Sequence, residues 1–268
     1  MKRLAGKVAL VTGGGAGLGR GMADRFCAEG ASVAILEIKP DITHDFERAN
    51  TAQGYEALGI VGNVTQPESV RAAVAQCISR WGRLDALVNN AGVTGASHAD
   101  LVDLDLSDWN RVLEVNLTGA LICTQHAAPA IRDAGGGSII NMTSISARTT
   151  YPSRGAYSVS KAALESLTLQ ASIELAKWKI RVNSMSLGWF RTALNEDTYQ
   201  IPGELAKRNL TVPIGRIGTL EDCANLAVFL AGDESTYLTG ESIELDGGLI
   251  AAALKSTGLL ARIRPVTE

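Results

Sequence analysis

The chain has 268 residues, of which 46% are hydrophobic and 20% charged, and this suits one globular domain with a sizeable core. The formal net charge is −3, which argues against general electrostatic binding to nucleic acid or to membranes. The four cysteines are widely spaced and form no CxxC pair. They predict reduced thiols in a cytoplasmic protein and no metal site. No apolar run reaches the length that spans a bilayer.

Short apolar runs alternate with helical patterns along the chain. The predicted strands lie at 8–11, 32–36, 60–62, 86–89, 138–142, 180–185 and 242–245, and the predicted helices at 18–29, 66–81, 109–131 and 156–177. Strands that alternate with helices imply a parallel sheet covered on both faces. We therefore expect an α/β fold: a single doubly wound, Rossmann-type catalytic domain over 1–248, with a parallel sheet of about seven strands and helices on both faces.

Two segments depart from this alternation. Residues 188–218 are irregular and contain aromatic residues and prolines, which predicts a substrate lid; the alternative is a surface excursion with no catalytic part. Residues 249–268 form a C-terminal tail that would either cover a subunit interface or fray.

A glycine-rich turn connects the first strand to the first helix. Glycines let the backbone approach a pyrophosphate closely, and the helix that follows offers its free N–H groups and positive dipole end to that anion. The strand before the turn and the helix after it supply the context that dinucleotide binding requires. The predicted cofactor contacts here are Gly13, Gly15, Gly17, Leu18 and Gly19.

Glu37 ends the second strand, 20 residues after Gly17. A carboxylate at this position accepts hydrogen bonds from the adenosine ribose hydroxyls and repels a 2′-phosphate. Arg20 and Lys39 are near in sequence, but no basic residue lies inside the glycine turn. The predicted cofactor is therefore NAD rather than NADP. The alternative for Glu37 is a solvated acid at the end of a strand.

Tyr157 and Lys161 are four residues apart at the start of a long helical stretch, which places them on one helix face. A neighbouring ammonium lowers the pKa of a phenol toward the range in which it exchanges protons at neutral pH. Such a pair is weak evidence on its own, because tyrosine and lysine recur at this spacing by chance.

Further motifs make the pair informative. Asn89-Asn90-Ala91-Gly92 follows the fourth strand, Asn116 lies in the next helix, and Ser144 stands 13 residues before Tyr157. Together with Thr12-Gly13-x-x-x-Gly17-x-Gly19 and Tyr157-x-x-x-Lys161, these motifs resemble the short-chain dehydrogenase/reductase family. The resemblance covers the chain from about Gly6 to Gly248.

The resemblance implies a catalytic set of Asn116, Ser144, Tyr157 and Lys161. Tyr157 would exchange the proton with the substrate oxygen, and Lys161 would lower its pKa and hold the nicotinamide ribose. Ser144 would orient the substrate oxygen, and Asn116 would hold a water that links Lys161 to solvent. Taken singly, Ser144 could instead cap a turn, Asn116 could bend its helix, and Tyr157 could be a half-buried aromatic.

The resemblance also implies cofactor contacts beyond the glycine turn and Glu37. These are Asn63, Val64, Asn90, Gly92, Tyr157, Lys161, Phe190 and Thr192. Two positions depart from the family pattern. Leu187 replaces the usual proline after the sixth strand, which would loosen that turn. Asn63 replaces the usual aspartate, and its amide would still bond the adenine amino group.

The substrate is specified only as a class. Arg148, Arg154 and Arg191 flank the catalytic residues and the lid, and an arginine at the pocket mouth pairs well with a carboxylate or phosphate. The expected substrate is a polar or anionic secondary alcohol or ketone; the alternative is that these arginines are surface charges. Predicted substrate contacts are Ser144, Arg154, Tyr157 and Trp189, with Tyr151 and Phe190 as further candidates for an apolar wall.

The leading hypothesis is an NAD-dependent dehydrogenase. One alternative is an NADP-dependent 3-oxoacyl-type ketoreductase, against which Glu37 argues. Another is a non-catalytic nucleotide-binding regulatory protein, against which the intact catalytic set argues. The resemblance further implies a homotetramer or homodimer, in which the helices at 109–131 and 156–177 pair with those of a second subunit.

Overall fold

Seven parallel strands form one central sheet in the order β3-β2-β1-β4-β5-β6-β7. The computed structural model describes residues 2–96, 99–150, 152–192 and 195–252. The strands are β1 (Val8–Thr12), β2 (Ser32–Glu37), β3 (Ala57–Val61), β4 (Ala86–Asn89), β5 (Gly137–Ser144), β6 (Ile180–Leu187) and β7 (Ser242–Leu245). The expected doubly wound α/β sheet is confirmed, and the predicted tail at 249–268 lies outside the described residues from position 253 onward.

Helices cover both faces of the sheet. They are α1 (Gly17–Ala28), α2 (Pro40–Thr51), α3 (Pro67–Trp81), α4 (Leu106–Leu113), α5 (Gly119–Asp133), α6 (Ala156–Leu175), α7 (Glu196–Gln200), α8 (Glu204–Thr211) and α9 (Leu220–Ala231). Within the described ranges, no helix is both long enough and apolar enough to cross a membrane.

The sheet separates two hydrophobic cores. Along β1, Ala9 and Val11 face one core while Val8 and Leu10 face the other, as the two-residue period of a strand requires. The first core is closed by side chains of α1, α2 and α9, and the second by side chains of α3, α5 and α6. Strands buried on both sides explain why the chain shows continuous apolar runs rather than alternation.

Two helices outside the irregular segment 188–218 were not predicted from the sequence, and that segment itself contains the short helices α7 and α8. In α2 the buried side chains are Thr43, Phe46 and Asn50, so the inward face is largely polar and gives little hydrophobic periodicity. In α9 the helix begins with a capping box in which Thr219 and Asp222 bond each other's backbone N–H groups. The third strand begins earlier than predicted, at Ala57, with Gly59 interrupting its apolar run.

The predicted long helix at 109–131 is divided by a π-helical turn. Helices α4 and α5 are joined by Glu114–Thr118, where the Gly119 N–H donates to the Glu114 carbonyl. Turns of this kind insert one residue into a helix and often occur at functional sites. Asn116 lies in this turn and is buried.

Because the strands are parallel, the carboxyl ends of the central strands lie at the same edge of the sheet. Thr12, Asn89 and Ser144 are the last residues of β1, β4 and β5, which are consecutive neighbours in the sheet. The crossovers run outward in opposite directions from β1 and β4, and ligands of such sheets bind at this switch point.

Candidate active site

The glycine turn leaves the start of α1 open to an anion. Gly13 and Gly17 have φ of 60° and 53°, a region that favours glycine. The Gly13 N–H donates to the Leu36 carbonyl at 2.8 Å, which fixes the turn to β2. Helix α1 is preceded by Ala16, whose methyl side chain cannot cap the first N–H groups. The turn therefore suits a pyrophosphate.

The turn is also tied to the end of β4. A methyl group on Gly19 would lie 2.2 Å from the Gly13 carbonyl oxygen, so only glycine fits there. The Asn90 side chain donates to the Thr12 carbonyl at 3.0 Å and to the Gly13 carbonyl at 2.9 Å. Thr12 Oγ1 accepts the N–H groups of Asn90 and Ala91 at 3.0 and 3.1 Å. Asn90 thus shapes the turn with its side chain, and Thr12 is a supporting residue that the sequence interpretation did not assign.

The Glu37 carboxylate lies beside the glycine turn. A methyl group on Gly15 would lie 3.3 Å from Glu37 Oε2, while Glu37 Oε1 accepts the Ile38 N–H at 2.8 Å. Arg20 is engaged elsewhere: its Nε donates to Asp24 at 2.8 Å and its Nη1 to Asp45 at 3.2 Å. Burial is the largest single influence on the pKa of Arg20, and it lowers that pKa. The hydrogen bonds and charges of Asp24 and Asp45 together outweigh burial, so the pKa of Arg20 is raised above its ordinary value.

Asn63 follows β3 and stabilises its own turn. Its Oδ1 accepts the Thr65 N–H at 3.0 Å and the Thr65 hydroxyl at 3.1 Å. Because Oδ1 is already used, an adenine base would have to bond the Nδ2 amide of Asn63, which can only donate. The partner would be a ring nitrogen rather than the amino group expected from sequence. Val64 is buried and packs beside Gly119, where a methyl group would lie 2.9 Å from Val64 Cγ2.

The segment after β6 faces the glycine turn. The Thr192 Cβ lies 3.8 Å from the position of a methyl group on Gly17. Asn195 holds this segment, because its Oδ1 accepts the Thr192 N–H and its Nδ2 donates to the Phe190 carbonyl, both at 2.8 Å. The Phe190 ring is in the core beneath Gly218, so the ring is structural and does not form the expected pocket wall. Strand β6 continues through Leu187.

Tyr157 and Lys161 lie on the first turns of α6, and their predicted proximity is confirmed. Lys161 Nζ is 5.7 Å from the centre of the Tyr157 ring. The ammonium is buried and donates to the Met142 carbonyl at 2.7 Å. Burial lowers the pKa of Lys161 to about 8. A methyl group on Gly92 would lie 3.6 Å from this nitrogen, so the end of β4 adjoins the same site.

Asn116 joins three elements around the lysine. Its Oδ1 accepts the Val93 N–H at 2.8 Å, and its Nδ2 donates to the Val93 carbonyl at 2.9 Å and to Ser160 Oγ at 3.0 Å. The Ser160 hydroxyl donates to the Tyr157 carbonyl at 2.7 Å. The amide therefore connects the π turn, the segment after β4 and the start of α6. Ser160 is a second supporting residue not assigned from sequence.

Ser144 ends β5 and is nearly buried. Its Oγ accepts the Ser146 N–H at 3.2 Å, at the start of the turn Ile145–Ala147. The predicted capping role is therefore present, and the hydroxyl proton remains a donor for a substrate oxygen. Ser144 pairs in register with Leu187 on β6.

The three arginines near the site have different environments. Arg148 pairs with Glu244 at 2.7 Å and with Glu165 at 3.4 Å. Arg191 bonds Glu196, with its Nε at 2.9 Å. Both of these arginines are held in ion pairs. Arg154 lies against Tyr157, with its guanidinium carbon 4.9 Å from the centre of the Tyr157 ring. Tyr151, suggested for the pocket wall, lies outside the described residues.

Known proteins of similar sequence are dehydrogenases and reductases. A family model described as enoyl-(acyl carrier protein) reductase matches residues 13–250. The trans-4-hydroxycyclohexanecarboxylate dehydrogenase of Sinomonas cyclohexanicum is 35% identical, over 92% of this chain and 93% of the relative. The 3-oxoacyl-[acyl-carrier-protein] reductase of Thermotoga maritima is also 35% identical, over 92% of this chain and 99% of the relative.

A solved structure shares the fold. The gluconate 5-dehydrogenase of Burkholderia cenocepacia, in complex with NADP and tartrate, superposes with a TM-score of 0.87 at 31% identity, over 93% of this chain and 97% of that one. The glycine turn, the Asn116 network and the Tyr157–Lys161 pair are thus found in a chain whose relatives are dehydrogenases and reductases. This protein belongs to the short-chain dehydrogenase/reductase family and is an NAD(P)-dependent oxidoreductase of alcohol or ketone substrates.

Proposed function

We propose that this enzyme uses NAD to interconvert a secondary alcohol and a ketone in a substrate that also carries an anionic group. The proposal rests on the position of two cationic side chains, Lys161 and Arg154, beside the Tyr157 phenol. Lys161 and Arg154 both lie within 6 Å of the Tyr157 ring, at 5.7 and 4.9 Å. Lys161 is buried within α6, whereas Arg154 precedes the first residue of that helix.

The catalytic roles follow from chemistry at this cluster. Bound nicotinamide supplies the hydride acceptor or donor. The Tyr157 phenolate takes the proton from the substrate alcohol during oxidation, and the resulting phenol returns it to the ketone oxygen during reduction. The Lys161 ammonium stabilises the phenolate, and Ser144 donates to the substrate oxygen and fixes its position. Asn116 keeps the start of α6 aligned and holds a water that connects Lys161 to solvent.

The cofactor would lie across the glycine turn. Gly13, Gly15, Gly17, Leu18 and Gly19 would hold the pyrophosphate, and Asn63 and Val64 the adenine. Gly92, Thr192 and the main chain of Phe190 would hold the nicotinamide end. The preference for NAD rests on Glu37, whose carboxylate borders Gly15, and on Arg20, which is occupied by Asp24 and Asp45. One structural relative is a complex with NADP, so cofactor choice must be measured for this chain.

The anionic group of the substrate is assigned to Arg154. Guanidinium groups bind carboxylates through two parallel hydrogen bonds. Two relatives support this assignment: one is a trans-4-hydroxycyclohexanecarboxylate dehydrogenase, and another, a gluconate 5-dehydrogenase, is in complex with tartrate. Trp189 would form an apolar wall of the pocket, and the segment 188–218 would act as its lid.

Matched substrates test this assignment. We would measure NAD reduction with trans-4-hydroxycyclohexanecarboxylate, gluconate and their uncharged amides, in wild type, Arg154→Leu and the surface control Arg71→Leu. Arg154→Leu should lower the preference for acid over amide by about tenfold or more, because a charge-assisted bond contributes about 1.5–3 kcal/mol. An acid preference unchanged in Arg154→Leu would refute the role of Arg154.

A second candidate is an NADP-dependent reductase of 3-oxoacyl substrates, favoured by the Thermotoga maritima relative. It predicts that NADPH with acetoacetyl-CoA turns over faster than NADH with any ketone of the panel. The proposed NAD enzyme predicts the opposite order.

We propose that the enzyme is a cytoplasmic homotetramer or homodimer. All four cysteines, which fall within the described residues, are buried free thiols, as a reducing compartment favours. Helix α6 leaves Leu169 and Ile173 exposed, at 55% and 78%. An apolar helix face of this kind suits a contact with a second subunit, and the subunit count follows from light scattering.

A further inference from the structure

We propose that Arg208, on α8, is a positioning residue that holds Trp189 in place as a wall of the substrate pocket. The inference rests on the proposed function, because it takes Trp189 as a residue that contacts substrate. Arg208 itself would act only through Trp189.

Arg208 lies against two aromatic rings from different parts of the segment 188–218. Its guanidinium carbon is 4.9 Å from the centre of the Trp189 ring and 5.3 Å from that of Tyr199. Tyr199 is buried, and the Arg208 side chain is only 23% exposed. A planar guanidinium gains from such contacts more than an ammonium does, because it presents a flat face and is weakly hydrated.

The neighbouring residue attaches α8 to the same place. Asn209 Oδ1 accepts the Ile217 N–H at 3.0 Å. The next residue, Gly218, donates its N–H to the Trp189 carbonyl at 2.8 Å and forms a parallel bridge with Phe190. Helix α8 therefore contacts the Trp189–Phe190 segment through a side-chain stack and a hydrogen-bond relay.

The backbone before Trp189 has little freedom of its own. Leu187 pairs with the catalytic Ser144, and a methyl group on Gly188 would lie 2.7 Å from the Asp246 Cα. Trp189 thus leaves the sheet at a fixed point, two residues after the partner of Ser144. Thr192, three residues later, already faces the glycine turn. The backbone contacts therefore leave the orientation of the Trp189 indole to side-chain contacts. The Arg208 guanidinium supplies such a contact by stacking on the indole.

Arg208 is not itself suited to bind the anionic group of the substrate. Its Nε donates to Glu204 at 2.8 Å, within a pair in which both side chains are mostly buried. Its contribution is therefore to the shape of the pocket rather than to its charge. Loss of the stack should weaken substrate binding while the proton-transfer residues stay in place.

Four variants separate the stack from the ion pair. Arg208→Met removes the guanidinium, and Arg208→Lys keeps the charge beside Glu204 but not the flat face. Glu204→Gln removes the ion pair and keeps the stack, and Arg71→Met controls for loss of a surface arginine paired with Glu68. Substrate KM and kcat are measured with the best hydroxy acid of the panel, NAD affinity by calorimetry, and hydrogen exchange over 196–211 by mass spectrometry.

We expect Arg208→Met to raise the substrate KM about tenfold with kcat within about twofold, since two stacked contacts are lost. Arg208→Lys should lose most of the same affinity, whereas Glu204→Gln and Arg71→Met should stay near wild type. Exchange over 196–211 should accelerate in both Arg208 variants while NAD affinity is retained. A KM unchanged in Arg208→Met, or fully restored in Arg208→Lys, would overturn the proposal.

The exchange measurement separates this inference from the proposed function. If the wild type oxidised no hydroxy acid, the proposed function would fail, and exchange would still report whether Arg208 holds α8. Unaltered exchange in an Arg208→Met protein that folds with wild-type Tm would refute the positioning role independently of turnover.

Discussion

Lys161 Nζ lies 5.7 Å from the centre of the Tyr157 ring and 2.7 Å from the Met142 carbonyl oxygen. One carbonyl is a modest compensation for an ammonium that is removed from water, and burial accordingly lowers the pKa of Lys161 to about 8. The enzyme thus keeps a positive charge next to the phenol at the expense of stability.

Replacement of Lys161 should therefore stabilise the cofactor-free protein. The pKa of Lys161 is about 8 in the folded state against an ordinary lysine value of 10.5, so the folded protein binds this proton less tightly than the unfolded chain. The associated penalty is complete below about pH 8 and disappears as the pH rises toward 10.5. Lys161→Met should raise the free energy of unfolding at pH 7 by about 1–3 kcal/mol and abolish turnover.

Urea unfolding at pH 7 and at pH 10 measures this difference. The gap between wild type and Lys161→Met should narrow at the higher pH. A variant that is less stable than wild type at pH 7 would show that the Met142 bond outweighs the cost of burial.

Asn116 should contribute to both stability and rate. Asn116→Ala removes two bonds to the Val93 backbone and one to Ser160, and leaves the Val93 groups without those partners. The expected loss is about 2–3 kcal/mol in the free energy of unfolding, with a lower kcat because α6 loses its link to the π turn. Gln170→Ala, which breaks an exposed bond to Glu174, is the control and should change stability by about 0.5 kcal/mol or less.

Glu37 should determine cofactor choice. Glu37→Ser removes the carboxylate beside Gly15, and with it the ribose hydrogen bonds and the repulsion of a 2′-phosphate that we propose for Glu37. The ratio of kcat/KM for NAD over NADP should fall by about 100-fold, with most of the change in KM. Asp41→Ser, on the first turn of α2, tests for a general charge effect and should leave the ratio unchanged.

Much of this site was predictable because its residues occupy fixed points of a regular scaffold. The ends of β1 and β4 are visible as apolar runs followed by Gly13 and Asn89, and a spacing of four residues on a helix makes Tyr157 and Lys161 neighbours. These relations depend on chain geometry alone, so a single sequence carries them. Ser144 is instead identified from the family motif, in which it stands 13 residues before Tyr157.

Other features depend on long-range partners that no local pattern reveals. Asn116, in the π turn, bonds Val93 and Ser160, which are 23 and 44 residues away. The ion pair of Arg148 depends on Glu244, 96 residues away. Helix α2 likewise shows no clear hydrophobic periodicity in the sequence, because its buried face is largely polar and packs into the core only through Phe46.

The most direct test of the mechanism is the kcat of Tyr157→Phe, measured together with its dissociation constant for NAD. Phenylalanine keeps the ring that lies near Lys161 and Arg154 but has no proton to exchange with substrate. We expect kcat to fall by about 1,000-fold or more while the NAD dissociation constant stays within about threefold of wild type. Turnover by Tyr157→Phe at a rate close to wild type would contradict the assignment of Tyr157 as the proton-exchanging group.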